Sequence, residues 1–147
     1  MSVSELKKNI SLTEDEISEL KKRNLLCEEK IAFMMVGMER KQTQMSNVSI
    51  AFNKLKNDAT DLKISVRGKA AQTILEGYET LFGMARCRTI ENKYEKIIYC
   101  IKANIDKLKN EIYENTSRIR NLQYKIDMWN SEMGKARLEE MFGGGAK

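Results

Sequence analysis

Apolar residues recur at alternating steps of four and three along both halves of this 147-residue chain. A mean spacing of 3.5 residues is the seam of a left-handed coiled coil. The first seam comprises Leu6, Ile10, Thr13, Ile17, Leu20, Asn24, Cys27, Ile31, Met34, Met38, Lys41, Met45, Val48, Phe52, Leu55, Ala59 and Leu62. The second comprises Tyr94, Ile98, Ile101, Ile105, Leu108, Ile112, Asn115, Ile119, Leu122, Ile126, Trp129 and Met133. The sequence therefore predicts two long helices, each with one apolar face directed at another helix.

Turn residues are scarce, because the chain has no proline and only eight glycines. Gly68 lies between the two seams and supplies the permissive backbone that a reversal needs. We expect a single all-α domain, a long antiparallel helical hairpin or coiled coil that belongs to a multi-helix assembly. Its arms are predicted over residues 4–64 and 70–141, with a turn at 65–69 and a flexible tail at 142–147.

Two local features qualify these boundaries. The stretch "LTEDEI" at 12–17 has the form of a capping box, with Thr13 as cap and Glu16 bonding back, and it predicts a helix start or restart at Glu14. Residues 71–85 carry a helical stripe that is out of phase with the second seam. The phase change predicts a stutter or break in the second arm over residues 86–92.

Asn24 and Asn115 are polar residues within the two apolar seams. If the chain reverses near Lys69, these two asparagines face one another across the helix pair. A buried asparagine pair fixes the register of a coiled coil at some cost in stability. We therefore predict that Asn24 and Asn115 set the register of the hairpin.

Between Leu25 and Met38 the first helix is apolar almost all round, which one neighbouring helix cannot cover. Either the chain folds back into a compact three- or four-helix bundle that buries this face, or the face binds a second chain, a copy or a different helical protein. The second alternative predicts a partner-binding surface on both arms. Its residues are Leu25, Leu26, Phe33, Met35, Val36, Ile97, Tyr99, Tyr113, Tyr124 and Met128.

Catalytic chemistry finds no support in the sequence. The chain has no histidine and no Gly-rich phosphate loop, and its clustered carboxylates are typical of solvated helix surfaces. We expect no catalytic, cofactor-binding or metal-binding residue, no small-molecule substrate and no enzymatic activity. Three cysteines without paired spacing and the absence of a long apolar run predict a cytoplasmic protein without a transmembrane segment.

Nucleic acid is a further candidate partner, because the net charge is +5. The basic residues, however, scatter around the helices with acidic residues between them, whereas a nucleic-acid surface would form a stripe. A weakly nucleic-acid-binding basic coiled coil therefore remains the second alternative, behind a self-assembling structural coiled coil that acts as a stalk or spacer.

The segment "VRGKAAQTI" places Val66, Gly68, Ala71 and Ile74 at the positions of the W-x-G turn motif and the small and aromatic residues that follow it. With its two coiled arms, the chain resembles the small helical-hairpin proteins of bacterial type VII (ESX-like) secretion, most closely the group associated with LXG-domain toxins. Val66 and Ile74 replace the tryptophan and the aromatic residue of that motif. The resemblance implies a cytoplasmic adaptor or chaperone-like partner that binds a secreted effector or toxin and is exported with it or remains in the cell.

Overall fold

The computed structural model describes residues 1–65 and 68–143, except for the side chains of residues 62–65 and 82. The described residues form three helices, α1 (Val3–Ser65), α2 (Lys69–Phe82) and α3 (Met84–Gly143), and no strand. The predicted all-α helical hairpin is thereby confirmed. Two predictions fall partly outside the described residues, namely the turn (Val66 and Arg67) and the tail (144–147). Helix α3 extends two residues beyond the predicted end of the second arm.

The start of α1 is fixed by a capping box that the sequence interpretation placed elsewhere. The Ser2 N–H donates to Glu5 Oε2 at 2.8 Å, and the Glu5 N–H donates to Ser2 Oγ at 3.2 Å. Hydrogen bonding to the Glu5 carboxyl, first from the Ser2 backbone N–H and then from the Ser2 side chain, lowers the pKa of that carboxyl. The predicted start at Glu14 is wrong, because α1 continues through Thr13, which is buried on the apolar seam. Residues 2–5 and 13–16 both match the capping-box pattern. Thr13 lies on the seam inside the helix, whereas Ser2 lies outside the seam and caps α1.

The apolar seams agree with the burial of the chain. Every predicted seam residue from Leu6 to Ala59, and from Tyr94 to Met133, is buried or half-buried. Leu62 lies among the side chains that are not described. The seam therefore identifies the packed face of both long helices, while the supercoiling of these helices stays a prediction.

The chain divides into two compact units. The first unit contains Met1–Ile31 and the described part of Asp106–Lys147. Its core is a cluster of Ile17, Leu122 and Ile126, and Ile10, Leu20 and Ile119 pack against this cluster. Residues early in α1 contact residues late in α3, so the two helices are antiparallel within this unit.

The second unit, Ala32–Ile105, contains the end of α1, all of α2 and the beginning of α3. Ala59, Ala71 and Ile98 are buried in it. The break in the second arm lies at Gly83, and the predicted break over residues 86–92 is wrong because α3 is continuous from Met84. The N–H of Gly83 still donates to Glu79 O at 2.9 Å, while its ψ of 166° directs the chain out of the helix.

The phase of the seam explains why a break is needed at Gly83. A straight continuation of α3 towards the N-terminus would place Thr73, Gly77 and Thr80 on the seam, since they lie in heptad register with Tyr94 and Ile98. These residues are exposed in the structure, whereas Ala71 is buried and Leu75 and Tyr78 are half-buried. The break therefore rotates α2 so that Ala71, Leu75 and Tyr78 are covered in place of Thr73, Gly77 and Thr80.

Candidate interaction surfaces

Exposed apolar side chains form a surface on the second unit. Phe33 is 82% exposed and Tyr99 is 73% exposed. Exposed large apolar residues are ordinary when they occur singly, whereas several of them together are typical of an interaction site. We call the predicted partner-binding residues of this unit the second-unit surface: Phe33, Met35, Val36, Ile97 and Tyr99. All five belong to α1 or α3, and none of them lies on the seam.

The first unit carries the remaining predicted partner-binding residues, which we call the first-unit surface. They are Leu25, Leu26, Tyr113, Tyr124 and Met128, with exposures between 47% and 76%. Leu12, at 57% exposure, was not predicted, yet it occupies the same heptad position as Leu26. The heptad register was the signal that would have identified it.

The exposure of these residues bears on the two alternatives for the apolar stretch Leu25–Met38. Leu25 is exposed in the first unit, and Phe33 and Val36 are exposed in the second. Neither unit by itself buries its part of this stretch, which favours the alternative of a second chain. Binding to a second chain, or to a copy of this one, remains as a proposal.

A polar layer crosses the helix pair of the first unit where the sequence analysis placed it. Asn115 Nδ2 donates to Asn24 Oδ1 at 3.0 Å, and Asn24 Nδ2 donates to Thr116 Oγ1 at 3.4 Å. The Thr116 hydroxyl in turn donates to Ile112 O at 2.7 Å. The structure brings the two predicted register residues together, and every partner in this layer is half-buried.

Ion pairs flank this polar layer on the surface of the same unit. Arg23 Nε donates to Glu111 Oε1 at 2.9 Å, and Arg118 pairs with Glu16. All four residues are at least partly exposed, so each pair contributes little to the free energy of unfolding. The pairs engage Arg23 and Arg118, two of the basic residues whose excess made nucleic acid a candidate partner.

A crosslink tests the register that the asparagines indicate. In a chain whose native cysteines are replaced by alanine, Asn24→Cys with Asn115→Cys should form a disulfide on mild oxidation, because facing seam positions lie within disulfide reach. Asn24→Cys with Leu108→Cys is the control, since one heptad displaces the thiol by about 10 Å. Non-reducing electrophoresis measures both. Crosslinking of the control pair instead would show a different register.

A carboxylate occupies the seam of the second unit near the start of α3. Glu91 is half-buried and accepts hydrogen bonds from Ser49 Oγ at 2.7 Å and from Cys87 Sγ at 3.5 Å. Ser49 belongs to α1, so this bond joins the two helices. The seam of α3 therefore begins at Cys87, two seam positions before Tyr94. The sequence analysis began the seam at Tyr94 because Glu91, the position between them, is charged.

The cysteines are free thiols in three different environments. Burial raises the pKa of the Cys27 thiol, and the nearby Glu111 carboxylate raises it further. Burial and the hydrogen bond to Glu91 raise the pKa of the Cys87 thiol. Cys100 is exposed. Thiols with a raised pKa form less of the reactive thiolate at neutral pH, so Cys27 and Cys87 are suited to packing.

The residues of the predicted turn motif differ in conformation and in burial. Gly68 has a φ of 111°, a conformation that favours glycine, and it precedes the first residue of α2. Ala71 is buried and Ile74 is 55% exposed. Val66 lies outside the described residues. The structure therefore accounts for the glycine and the small residue of the motif by local geometry, but it leaves Ile74 on the surface.

Helix α2 presents an exposed stripe that the sequence analysis did not assign to a function. It consists of Ala70, Ile74, Gly77 and Leu81, at alternating steps of four and three. Nothing lies within 4 Å of a Cβ placed on Gly77. Ile74 and Leu81 belong to the shifted apolar phase over residues 71–85, from which the sequence analysis predicted only a stutter or break in the second arm.

Metal-binding clusters and membrane-spanning helices are absent from the described residues. No group of three or more His, Cys, Asp or Glu side chains there is arranged to hold a metal ion. Within the same residues, no helix is both long and apolar enough to cross a membrane. The geometry thus offers helical surfaces as candidate functional features.

Comparison with known proteins adds no family to this description. The chain matches no protein-family model, no curated protein and no solved structure.

Proposed function

We propose that this protein is a non-enzymatic adaptor that binds a helical partner through the exposed apolar residues of its two long helices. The observation that supports it is the exposure of the second-unit surface, where Phe33 leaves 82% of its side chain uncovered. A helix that presents apolar residues at heptad spacing is suited to lie against the helices of another protein. Met35 adds a flexible side chain that can adapt to an irregular partner surface.

The partner class follows from the resemblance to type VII secretion proteins. We propose that the partner is a secreted effector or toxin with helices of its own, and that burial of the exposed residues keeps it soluble or presents it to the secretion machinery. This assignment rests on the helical hairpin, on Gly68 before α2 and on the exposed apolar residues of the first-unit and second-unit surfaces. The adaptor would act in the cytoplasm and stay there or leave with its partner.

A single charge placed on the surface tests the adaptor function. Phe33→Asp should lower affinity for the partner at least tenfold, because a buried unpaired carboxylate opposes association. Asn57→Asp is the matched control, since it adds the same charge at an exposed position of α1 that lies outside the second-unit surface. The measurement is quantitative mass spectrometry of proteins that copurify with the tagged chain from its own cells. A stoichiometric partner retained by Phe33→Asp would contradict the proposal.

A self-assembling structural coiled coil is the second candidate function, favoured by the exposed stripe of α2. Two copies of the stripe could pair antiparallel about Gly77, with Ile74 of one facing Leu81 of the other, so the surface is self-complementary. Light scattering on the purified chain separates the two functions. A stable dimer or tetramer supports self-assembly, whereas a monomer or an aggregating sample that a partner rescues supports the adaptor.

A further inference from the structure

Charge is distributed unevenly between the two units. Residues 32–105 contain twelve Lys and Arg against seven Asp and Glu, and the remainder of the chain contains fourteen of each. The whole net charge of +5 therefore belongs to the second unit. An anionic partner would be attracted to this unit and not to the first.

Part of this positive charge lies on one stripe of α3. The stripe, which we call the α3 basic stripe, consists of Arg86, Ile90, Lys93 and Ile97, at steps of four, three and four. Such steps place all four residues on one face of a helix. Arg86, Lys93 and Ile97 are exposed and Ile90 is half-buried. The stripe alternates cations with isoleucines and contains no carboxylate.

The α3 basic stripe borders a hollow of about 420 Å³ where α2 meets α3. Thr80 and Thr89 line this hollow, but their hydroxyls donate to Glu76 O and Ala85 O at 2.9 Å within their own helices. The charged groups of the lining are Arg86, Lys93 and the Glu79 carboxylate, so cations outnumber anions. The hollow therefore combines apolar walls with a net positive charge.

Helix α1 repeats this composition within the same unit. Residues 33, 40, 47 and 54 are one heptad apart and are all exposed, and they are Phe33, Arg40, Asn47 and Lys54. Again an apolar side chain is combined with cations, and no acidic residue interrupts the series. Both long helices of the second unit thus offer apolar contact together with positive charge.

We infer that the α3 basic stripe docks an acidic amphipathic helix of a partner protein. The inference rests on the proposed adaptor function and specifies the chemistry of the partner. Apolar side chains at i, i+4 and i+7 of the partner would contact Ile90 and Ile97, and flanking Asp or Glu side chains would pair with Arg86 and Lys93. From Arg86 to Ile97 the stripe is about 17 Å long, which matches three turns of helix.

The other anionic macromolecules fit this surface less well. A lipid bilayer is flat and contacts a broad apolar face, whereas the hollow beside Arg86 is concave. Nucleic acid would contact cations alone, and Ile90 and Ile97 have no counterpart on a phosphate backbone. An acidic helix satisfies both the isoleucines and the cations.

Selection from a displayed library tests the inference with the full-length chain. The probe is a phage library of 20-residue helices with leucine at i, i+3, i+4 and i+7 and randomised flanking positions. The test variant of the chain carries Arg86→Glu together with Lys93→Glu. The control variant carries Lys109→Glu together with Arg120→Glu, a change of the same total charge at exposed α3 residues of the first unit. We expect enrichment of Asp and Glu in the selected flanks, at least a tenfold affinity loss in the first variant and less than a twofold loss in the control.

Each other outcome overturns a defined part of the assignment. Selected helices that are basic or uncharged, or that bind Arg86→Glu with Lys93→Glu as tightly as the unchanged chain, overturn the acidic-helix inference and leave the adaptor function standing. Absence of any selected helix overturns both. Equal losses in the two double variants would indicate general electrostatic attraction and contradict a site. Binding of phosphatidylserine vesicles or a 20-base-pair DNA, abolished by the first variant while no peptide binds, would replace the helix by that ligand.

Discussion

Gly83→Ala is expected to lower the free energy of unfolding by about 2–3 kcal/mol. A Cβ at this position would lie 2.3 Å from the carbonyl oxygen of Glu79, a backbone atom that has little freedom to move. Relief by straightening α2 into α3 would turn Thr73, Gly77 and Thr80 towards α1 and uncover apolar side chains. Either response destabilises the second unit, and urea denaturation followed by circular dichroism measures the loss.

Gly77→Ala is the matched control for this substitution. Gly77 lies in the middle of α2 with nothing within 4 Å of its added Cβ. Alanine in a helix interior is favoured over glycine by roughly 0.5–1 kcal/mol, so Gly77→Ala should raise the free energy of unfolding by about that amount. The two glycine substitutions should therefore have opposite signs. Equal effects would show that the break at Gly83 is not required by the fold.

Ile126→Ala should lower the free energy of unfolding by about 3 kcal/mol, because it truncates a side chain in the core of the first unit. Ile126 is 4% exposed and packs in the cluster with Ile17 and Leu122. Truncation removes buried methyl groups and leaves a cavity that the surrounding helices fill only in part, which typically costs 2–5 kcal/mol. The same denaturation experiment measures the loss.

Met128→Ala provides the comparison, because this residue is two positions along the same helix and 47% exposed. Its truncation should change the free energy of unfolding by less than about 1 kcal/mol. A loss at Met128 as large as that at Ile126 would mean that the first-unit surface is covered in the isolated chain. Such a result would contradict its assignment as a surface that awaits a partner.

The packed faces of this protein were predictable because one physical rule governs most of the sequence. Residues such as Ile17 and Ile98 recur at heptad spacing, and burial of one face is the only way to remove them from water. Prediction was wrong at two of the seam positions that are not apolar. Glu91 interrupted the pattern and displaced the expected break, and Thr13 in the seam was interpreted as a cap.

The candidate surfaces were predictable to a different extent. Residues such as Phe33 and Tyr99 could be assigned to the outside because the seam leaves them no neighbour. The stripe of α2 could not be assigned, because its exposure depends on the rotation that Gly83 introduces and not on its own period. The acidic helix that we propose as ligand could not be predicted either, because it is inferred from the cations and isoleucines of α3 together with the hollow beside them.

The hydrogen bond between Asn24 and Asn115 constrains how the length of such a chain can change during evolution. An insertion or deletion between either asparagine and the turn slides one arm past the other and separates the pair, unless the other arm changes by the same number of residues. A number other than a multiple of seven also shifts the phase of the apolar seam, which the helices accommodate by locally unwinding or overwinding. Matched heptads, gained or lost in both arms together, are therefore the changes of length that preserve both the asparagine pair and the seam.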